Sequence, residues 1–284
     1  MPRIPDVTLA NPRAGRVKQV RALSGRSARA KHGQFLVEGP QGVREAVRHA
    51  SARVRDVYLT APAARRHPEI LDTALAAGLY VHLGTPEVLD AMSPDAQGVL
   101  AVVRTDEPEL GEALDRRRSP DRPLLVAVLA SVRDPGNAGA VIRAADAAGA
   151  DLVVLAGESV DVHNPKVVRS TAGSLFHLPV VTGVPLSDVV EGVRAAGCAV
   201  LAADGTGDHD LDDLLDVAGA SPEGVPDLAA SAAWVFGNEA WGLPSEDRAL
   251  ADAVVRVPIR GRAESLNLAT AATVCLYASG RAQR

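Results

Sequence analysis

The chain has 284 residues, 47% of them hydrophobic but only 3% aromatic, so Ala, Val and Leu must build its core. That content suits one large domain or two ordinary ones, and it favours covered α/β sheets over an aromatic-rich β-sandwich. The net charge of −5 hides an asymmetry: residues 1–66 hold 14 Lys and Arg against 4 Asp and Glu, a local charge of +10, and the remainder carries −15. A basic first segment on an acidic chain suggests an end that faces a polyanion, the plain alternative being a solvated basic surface.

Residues 16–31, RVKQVRALSGRSARAK, carry a basic residue every few positions and predict a helix with a positive face. QFLVE at 34–38 reads as a strand, Gly39-Pro40 as its break, and 41–50 as a helix with Val43 and Val47 one turn apart. Strands at 54–59, 79–83 and 99–103 then alternate with helices at 69–77 and 86–92. The alternation makes residues 1–104 a small α/β domain with a basic tail at its start. Residues 105–123, TDEPELGEALDRRRSPDRP, combine charge and Pro with little apolar content and read as a linker.

From Leu124 the pattern restarts. Strands at 124–130, 151–156, 179–182 and 198–203 alternate with helices near 137–149, 165–175 and 186–196. Two more strands follow, one ending in WVFGNE and one at 254–259, and an Ala-rich helix from about Leu266 finishes the chain. Residues 124–284 therefore predict a mostly parallel sheet covered on both faces. Ligands in such sheets sit at the carboxyl ends of the strands.

Three polar clusters lie at such ends. In VRDPGNAGAVIRAADAAGA, 132–150, a turn enters a helix with Asn137 as N-cap candidate, and Arg143 lies six residues on. Free N–H groups at such a helix start can bind an anion, although Asp-Pro-Gly-Asn is also a plain turn. In VFGNEAWGLP, Gly237 permits close backbone approach, and Glu239 is a carboxylate directly after an apolar strand. A buried acid there must be hydrogen-bonded or face a cleft. In VPIRGRAESLNLATAATVCLYA, Ser265 and Asn267 sit where a helix begins; either alone would pass as an ordinary cap. Three clusters at three strand ends of one domain point to a ligand site instead.

Cys198 and Cys275 lack CxxC spacing, which argues against a disulfide framework or zinc site and for a reducing compartment. No His/Cys cluster marks a metal site. No apolar run reaches the roughly 18 residues of a membrane helix, and MPRIPDVTLANPRAGR lacks a signal peptide's apolar stretch. The expectation is a soluble cytoplasmic protein.

NAGAVIRAADAAG (137–149), FGNEAWGL (236–243) and IRGRAESLNLATAATVCLY (259–277) resemble, in order and spacing, the three motifs of the SpoU/TrmH branch of the SPOUT methyltransferases. NPKVVRSTAGSLFHLPV (164–180) is similar to that branch's connecting segment, and KHGQFLVEGPQGVREAV (31–47) resembles the ribosomal-protein-like substrate-binding domain of its ribosomal-RNA members. The resemblance implies a parallel SPOUT sheet with a C-terminal trefoil knot, a homodimer with the site completed across its interface, and S-adenosylmethionine as cofactor. By position the cofactor-binding residues would be Gly237, Val257, Ile259 and Leu266, with Ala203 after the preceding strand. Asn137, Arg143, Glu239, Ser265 and Asn267 would line the reaction centre.

The implied reaction is methylation of an RNA ribose 2′-hydroxyl, most readily in ribosomal RNA, with no metal. Transfer RNA is the second substrate reading, and an RNA-binding relative without catalysis is the third. A phosphate-loop nucleotide enzyme is disfavoured, because GxGxxG and GxxxxGK[ST] are both lacking. Arg143 is either the base, as the family suggests, or a phosphate clamp, which suits a guanidinium that stays protonated. Ala240-Trp241 stands where many members of that branch have a small or charged pair after the motif's Glu, and Trp241 is the departure. It either stacks on a flipped base or packs at the dimer interface, the second being favoured.

Overall fold

A computed structural model describes residues 9–284. The first eight residues, part of the basic segment and of the stretch read against a signal peptide, lie outside the described residues. The chain divides into two compact units, one running to Asp106 and including 161–177, the other comprising 107–160 and 178–284.

In chain order the first unit holds α1 (Gly15–Ala22), α2 (Arg26–His32), β1 (Gln34–Glu38), α3 (Gly39–His49), β2 (Val54–Thr60), α4 (Ala61–Arg66), α5 (Pro68–Ala76), β3 (Tyr80–Gly84), α6 (Pro86–Met92) and β4 (Val99–Arg104). Its sheet runs β1-β4-β2-β3, with β4 antiparallel to both neighbours and β2 parallel to β3. VLAVV in β4 is buried throughout, as a central strand covered on both faces requires. Val17, Val20 and Leu23 pack with Val88, Leu89 and Met92 over Leu36, Tyr58, Leu100 and Val102 on one face.

The predicted helix over 16–31 is in fact two. Leu23, Ser24 and Gly25 separate them, and the Arg29 guanidinium donates to the Leu23 and Ser24 carbonyls at 3.1 and 2.6 Å. Arg29 also pairs with Asp161 at 2.6 Å and is 5% exposed, so one cation of the basic face holds the fold together. Arg16, Lys18, Arg21, Arg26 and Lys31 remain exposed. Gly39-Pro40 ends β1 as expected and also opens α3, because a proline in the first helical turn loses no hydrogen bond.

The second unit adds α7 (Leu110–Arg117), β5 (Leu125–Ala130), α8 (Pro135–Ala148) and β6 (Leu152–Ala156). After α9 (Pro165–Ser170), which belongs to the first unit, come β7 (Val180–Thr182), α10 (Leu186–Ala195), β8 (Ala199–Ala203), β9 (His209–Asp210), α11 (Leu211–Asp216) and β10 (Ala232–Phe236). Then α12 (Ser245–Arg248), β11 (Ala253–Arg256) and α13 (Leu268–Ala282) complete the chain. Among the described residues the sheet is seven-stranded and parallel, in the order β7-β6-β5-β10-β8-β11-β9.

From β5 the chain steps outward through β6 and β7, then crosses to β8 on the other side. The gap this leaves is filled by β10, whose AAWVF run is wholly buried. The switch in winding direction thus lies at β5, β10 and β8.

Several expectations shift in detail. The proposed linker contains α7, whose Leu110, Ala113 and Leu114 are buried in the same core as Val189 and Val193. The helix expected over 165–175 shortens to α9 and a single 3₁₀ turn at Ser174–Phe176. The strand expected to reach residue 259 stops at Arg256, leaving 257–267 as a loop before α13. Helix α13 is locked to the sheet by the buried Trp234 indole, which donates to Ser279 Oγ at 2.9 Å. Cys198 and Cys275 are free and buried, and burial pushes their thiols up to about 11 and about 12. Among the described residues no helix is long and apolar enough to cross a membrane.

Candidate active site

The carboxyl ends of β8, β10 and β11, with the loop before α13, enclose a cleft of about 560 Å³. All five residues expected at a cofactor line it: Ala203, Gly237, Val257, Ile259 and Leu266. Glu239 and Ser265 line it as well. Geometry at Gly237 is tight. A Cβ there would lie 2.5 Å from Gly242 O and from Leu243 N, with the Gly242 carbonyl carbon also in the way. Asn238 and Gly242 exchange backbone hydrogen bonds of 2.9 Å in both directions, so GNEAWG folds back on itself at the strand end.

Glu239 is exposed rather than buried, yet fully engaged. Its carboxylate accepts from Arg133 N at 3.3 Å, Asp134 N at 3.0 Å and Asn137 Nδ2 at 3.3 Å. The Asn137 side-chain oxygen in turn accepts from Asn267 Nδ2 at 3.0 Å. Asn267 caps α13, its Oδ1 accepting from Ala269 N at 2.9 Å and Thr270 N at 3.4 Å. One chain of hydrogen bonds therefore joins all three strand-end clusters, Glu239 to Asn137 to Asn267.

Asn137 itself is not the cap of α8. Asp134 is, accepting from Asn137 N at 2.7 Å, with Pro135 in the first turn. Because Asp134 takes that role, the Asn137 amide is released to bridge Glu239 and Asn267. Arg143 stands apart: it is exposed on α8 and does not line the cleft. Trp241 is 55% exposed, with the Arg133 guanidinium 5.6 Å above its ring.

Sequence reasoning passed over three side chains. Asn238, 5% exposed, donates to Ser131 O at 2.7 Å and accepts from Ala240 N at 2.9 Å, tying the end of β10 to the end of β5. Asp204 and Glu264 add carboxylates to the cleft wall. The strand-end rule could have found Asp204, which follows β8 directly. The expectation that no His/Cys cluster exists also needs correction: in the first unit Glu45, His49 and His177 bring ligand atoms within 4.8 Å of one another. Only the helical pair is close in sequence, so spacing could not reveal the third.

Residues 124–277 match the SpoU rRNA Methylase family, and residues 14–101 match the MRM3-like substrate binding domain. The chain is 34% identical to a 23S rRNA (uridine(2479)-2′-O)-methyltransferase of Streptomyces viridochromogenes, covering 98% of this chain and 94% of that protein. It is 32% identical to the 23S rRNA (guanosine(2553)-2′-O)-methyltransferase RlmP of Bacillus subtilis, covering 92% and 94%. An AdoMet-bound rRNA methyltransferase from Sinorhizobium meliloti superposes with a TM-score of 0.78 at 28% identity, covering 96% of this chain and 97% of that one. The SpoU methyltransferase AviRb of Streptomyces viridochromogenes, in complex with AdoMet, gives 0.77 at 34% identity, covering 94% and 98%. With its strand-end clusters joined around one cleft and its match spanning nearly the whole chain, this protein belongs to the SpoU rRNA methylase family.

Proposed function

We propose that the chain transfers the methyl group of S-adenosylmethionine to a ribose 2′-hydroxyl of ribosomal RNA. The observation that carries this reading is that one cleft, at the switch point of a parallel sheet, gathers the second and third motifs and is joined by hydrogen bonds to the first. Its volume lies within the range of small-ligand sites. Val257, Ile259, Leu266 and Leu268 supply apolar surface suited to an adenine, while Asp204 and Glu264 supply negative charge suited to a cationic ligand. Gly237 keeps the backbone of 237–243 compact at the cleft wall. When bound, the cofactor supplies a methyl group already activated on a positively charged sulfur, so the protein has chiefly to align the acceptor hydroxyl.

Alignment falls to the linked groups. Glu239 holds the 133–137 turn through two backbone N–H groups and the Asn137 amide, and Asn267 fixes Asn137 from the start of α13. In this reading Asn137, Glu239, Ser265 and Asn267 frame the reaction centre. Arg143 clamps the phosphate beside the target ribose with its forked donors, a role that suits a permanently charged group. Its exposure away from its own cleft supports a homodimer in which Arg143 serves the cleft of a second copy. Trp241 is apolar and exposed at the turn beside the cleft, which suits a surface covered on dimerisation. The C-terminal trefoil knot implied by the family belongs to the same proposal.

Residues 1–104 are proposed as the RNA-binding domain, 105–123 as the connection and 124–284 as the catalytic domain. The family match over 14–101 and the exposed cations of α1 and α2 support the first assignment. The two full-length relatives described above are named for 23S rRNA, which favours ribosomal over transfer RNA and a cytoplasmic setting. The test is transfer of labelled methyl onto separated, unmodified ribosomal and transfer RNA, with Arg143→Ala as control. Label on ribosomal RNA that disappears in the variant, with cofactor binding retained, is the expected result. Label on transfer RNA alone would move the substrate, and full activity of the variant would remove Arg143 from the mechanism.

A further inference from the structure

The triad Glu45, His49 and His177 is independent of the methyl-transfer site. Glu45 and His49 stand four residues apart on α3 and so share one face of the helix. His177 follows the 3₁₀ turn at Ser174–Phe176 and arrives 132 residues after Glu45. Both imidazoles aim Nε2 at the same carboxylate oxygen: His49 Nε2 and His177 Nε2 each lie 3.3 Å from Glu45 Oε2. The two rings meet edge-on, with centroids 4.9 Å apart and planes at 78°. Arg48 approaches the other carboxylate oxygen, Oε1, at 3.9 Å, leaving Oε2 to the imidazoles.

A separation of 3.3 Å is long for a hydrogen bond to a carboxylate, which ordinarily closes to about 2.7–2.9 Å. It also suits two edges of a coordination tetrahedron, since ligands each about 2.0 Å from a central zinc ion lie about 3.3 Å apart. Gly173 contributes to the arrangement. A Cβ at that position would lie 2.5 Å from Glu45 Cγ and 2.8 Å from Glu45 Cβ, and its φ of +104° is one that glycine adopts freely. The glycine thus leaves room for the glutamate between the two histidines. Glu45 is 18% exposed, His177 29% and His49 50%, so the site is open to an ion from solvent on one side.

We propose that Glu45, His49 and His177 bind a divalent transition-metal ion of the zinc class, with water completing the coordination. Two imidazoles and a carboxylate are ligands that zinc accepts, whereas magnesium and calcium prefer all-oxygen sets. The ion would staple the 171–177 segment to α3 within the first unit, a structural role separate from catalysis.

The test uses the full chain stripped of metal with EDTA and then titrated with zinc chloride by calorimetry. The expected result is one equivalent bound, at roughly micromolar affinity or better, with slower amide exchange over 171–177 on binding. His49→Gln, His177→Gln and Glu45→Gln should each weaken binding roughly tenfold or more. Melting in EDTA checks that each variant is folded. Should a variant fail that check, the solvent-exposed His49→Gln decides alone. Magnesium chloride should give no binding at this site. Failure of the wild-type chain to take up zinc below about 100 μM, or uptake unchanged in the His49→Gln/His177→Gln double variant, would overturn the proposal.

Discussion

Replacing Gly237 by alanine adds one methyl group at the point where β10 turns into the cleft, and the structure says what that group meets. The new carbon would lie 2.5 Å from Gly242 O and 2.5 Å from Leu243 N, against a comfortable separation of about 3.5 Å or more. The three nearest atoms all belong to the backbone, so no side chain among them can swing aside. The 237–243 turn must open by about 1 Å, and both 2.9 Å hydrogen bonds between Asn238 and Gly242 must stretch with it. Overpacking of this kind costs about 1–3 kcal/mol. A shift of about 1 Å in a positioning loop costs about a hundredfold in a site that depends on alignment. Gly237→Ala should therefore melt several degrees below the parent, bind S-adenosylmethionine more weakly by calorimetry and transfer its methyl group about a hundredfold more slowly. Two other glycines of the same region serve as controls. Gly242→Ala meets no atom but inherits a φ of +68°, costing about 1 kcal/mol of backbone strain. Gly261→Ala has open space around it and should be silent. A Gly237→Ala chain with unchanged melting and cofactor affinity would refute the claim that this turn shapes the cleft.

Asn267→Ala removes the cap of α13 and should cost about 1 kcal/mol by urea denaturation, whereas Asn267→Asp keeps the capping oxygen and should retain stability. The aspartate lacks the amide that donates to Asn137, so both variants should lose methyl-transfer activity; a fully active Asp variant would discount that hydrogen bond. Trp234→Phe removes the buried bond to Ser279 and should destabilise by about 1–3 kcal/mol in calorimetric melting, a change below about 0.5 kcal/mol counting against it. His163 is buried against Phe35, and burial pushes its imidazole down to about 4, the Asp161 carboxylate opposing only in part. Below pH about 6.5 the unfolded chain gains a proton that the folded one refuses, so this group removes about 3 kcal/mol of stability as pH falls from about 6.5 to 4. His163→Leu should flatten that part of the stability–pH curve; an unchanged slope between the two pH values would rule the histidine out as its source.

What the sequence could reveal was set by which interactions are local. LVAVLA, LVVLA and AAWVF each read as a strand because a parallel strand buried on both faces needs a continuous apolar run. Their neighbours were not legible: nothing in AAWVF says that β10 slots between β5 and β8. The polar end of β10 marked the cleft, since Gly237 and Glu239 follow the AAWVF run at once, whereas Ser265 reaches it on the loop between β11 and α13. The bond between Asn267 and Asn137 spans 130 residues and had no local signature. Arg29 looked like one more surface cation on a basic helix, yet it is committed to Asp161, 132 residues away. The charged stretch 105–123 concealed α7, because Leu110, Ala113 and Leu114 supply too few apolar residues to stand out among Asp, Glu and Arg. The cap of α8 is Asp134 and not Asn137, because Asp134 stands directly before Pro135 in the first turn and Asn137 already lies in the helix.

The proposed chemistry requires a ribose hydroxyl as acceptor. Alkaline digestion of RNA labelled by this protein tests it most directly, since a 2′-O-methyl group blocks cleavage at its own nucleotide. Methylation of the ribose should leave the label of ribosomal RNA in an alkali-resistant dinucleotide from a single position. Label recovered in mononucleotides would place the methyl group on a base and contradict the mechanism.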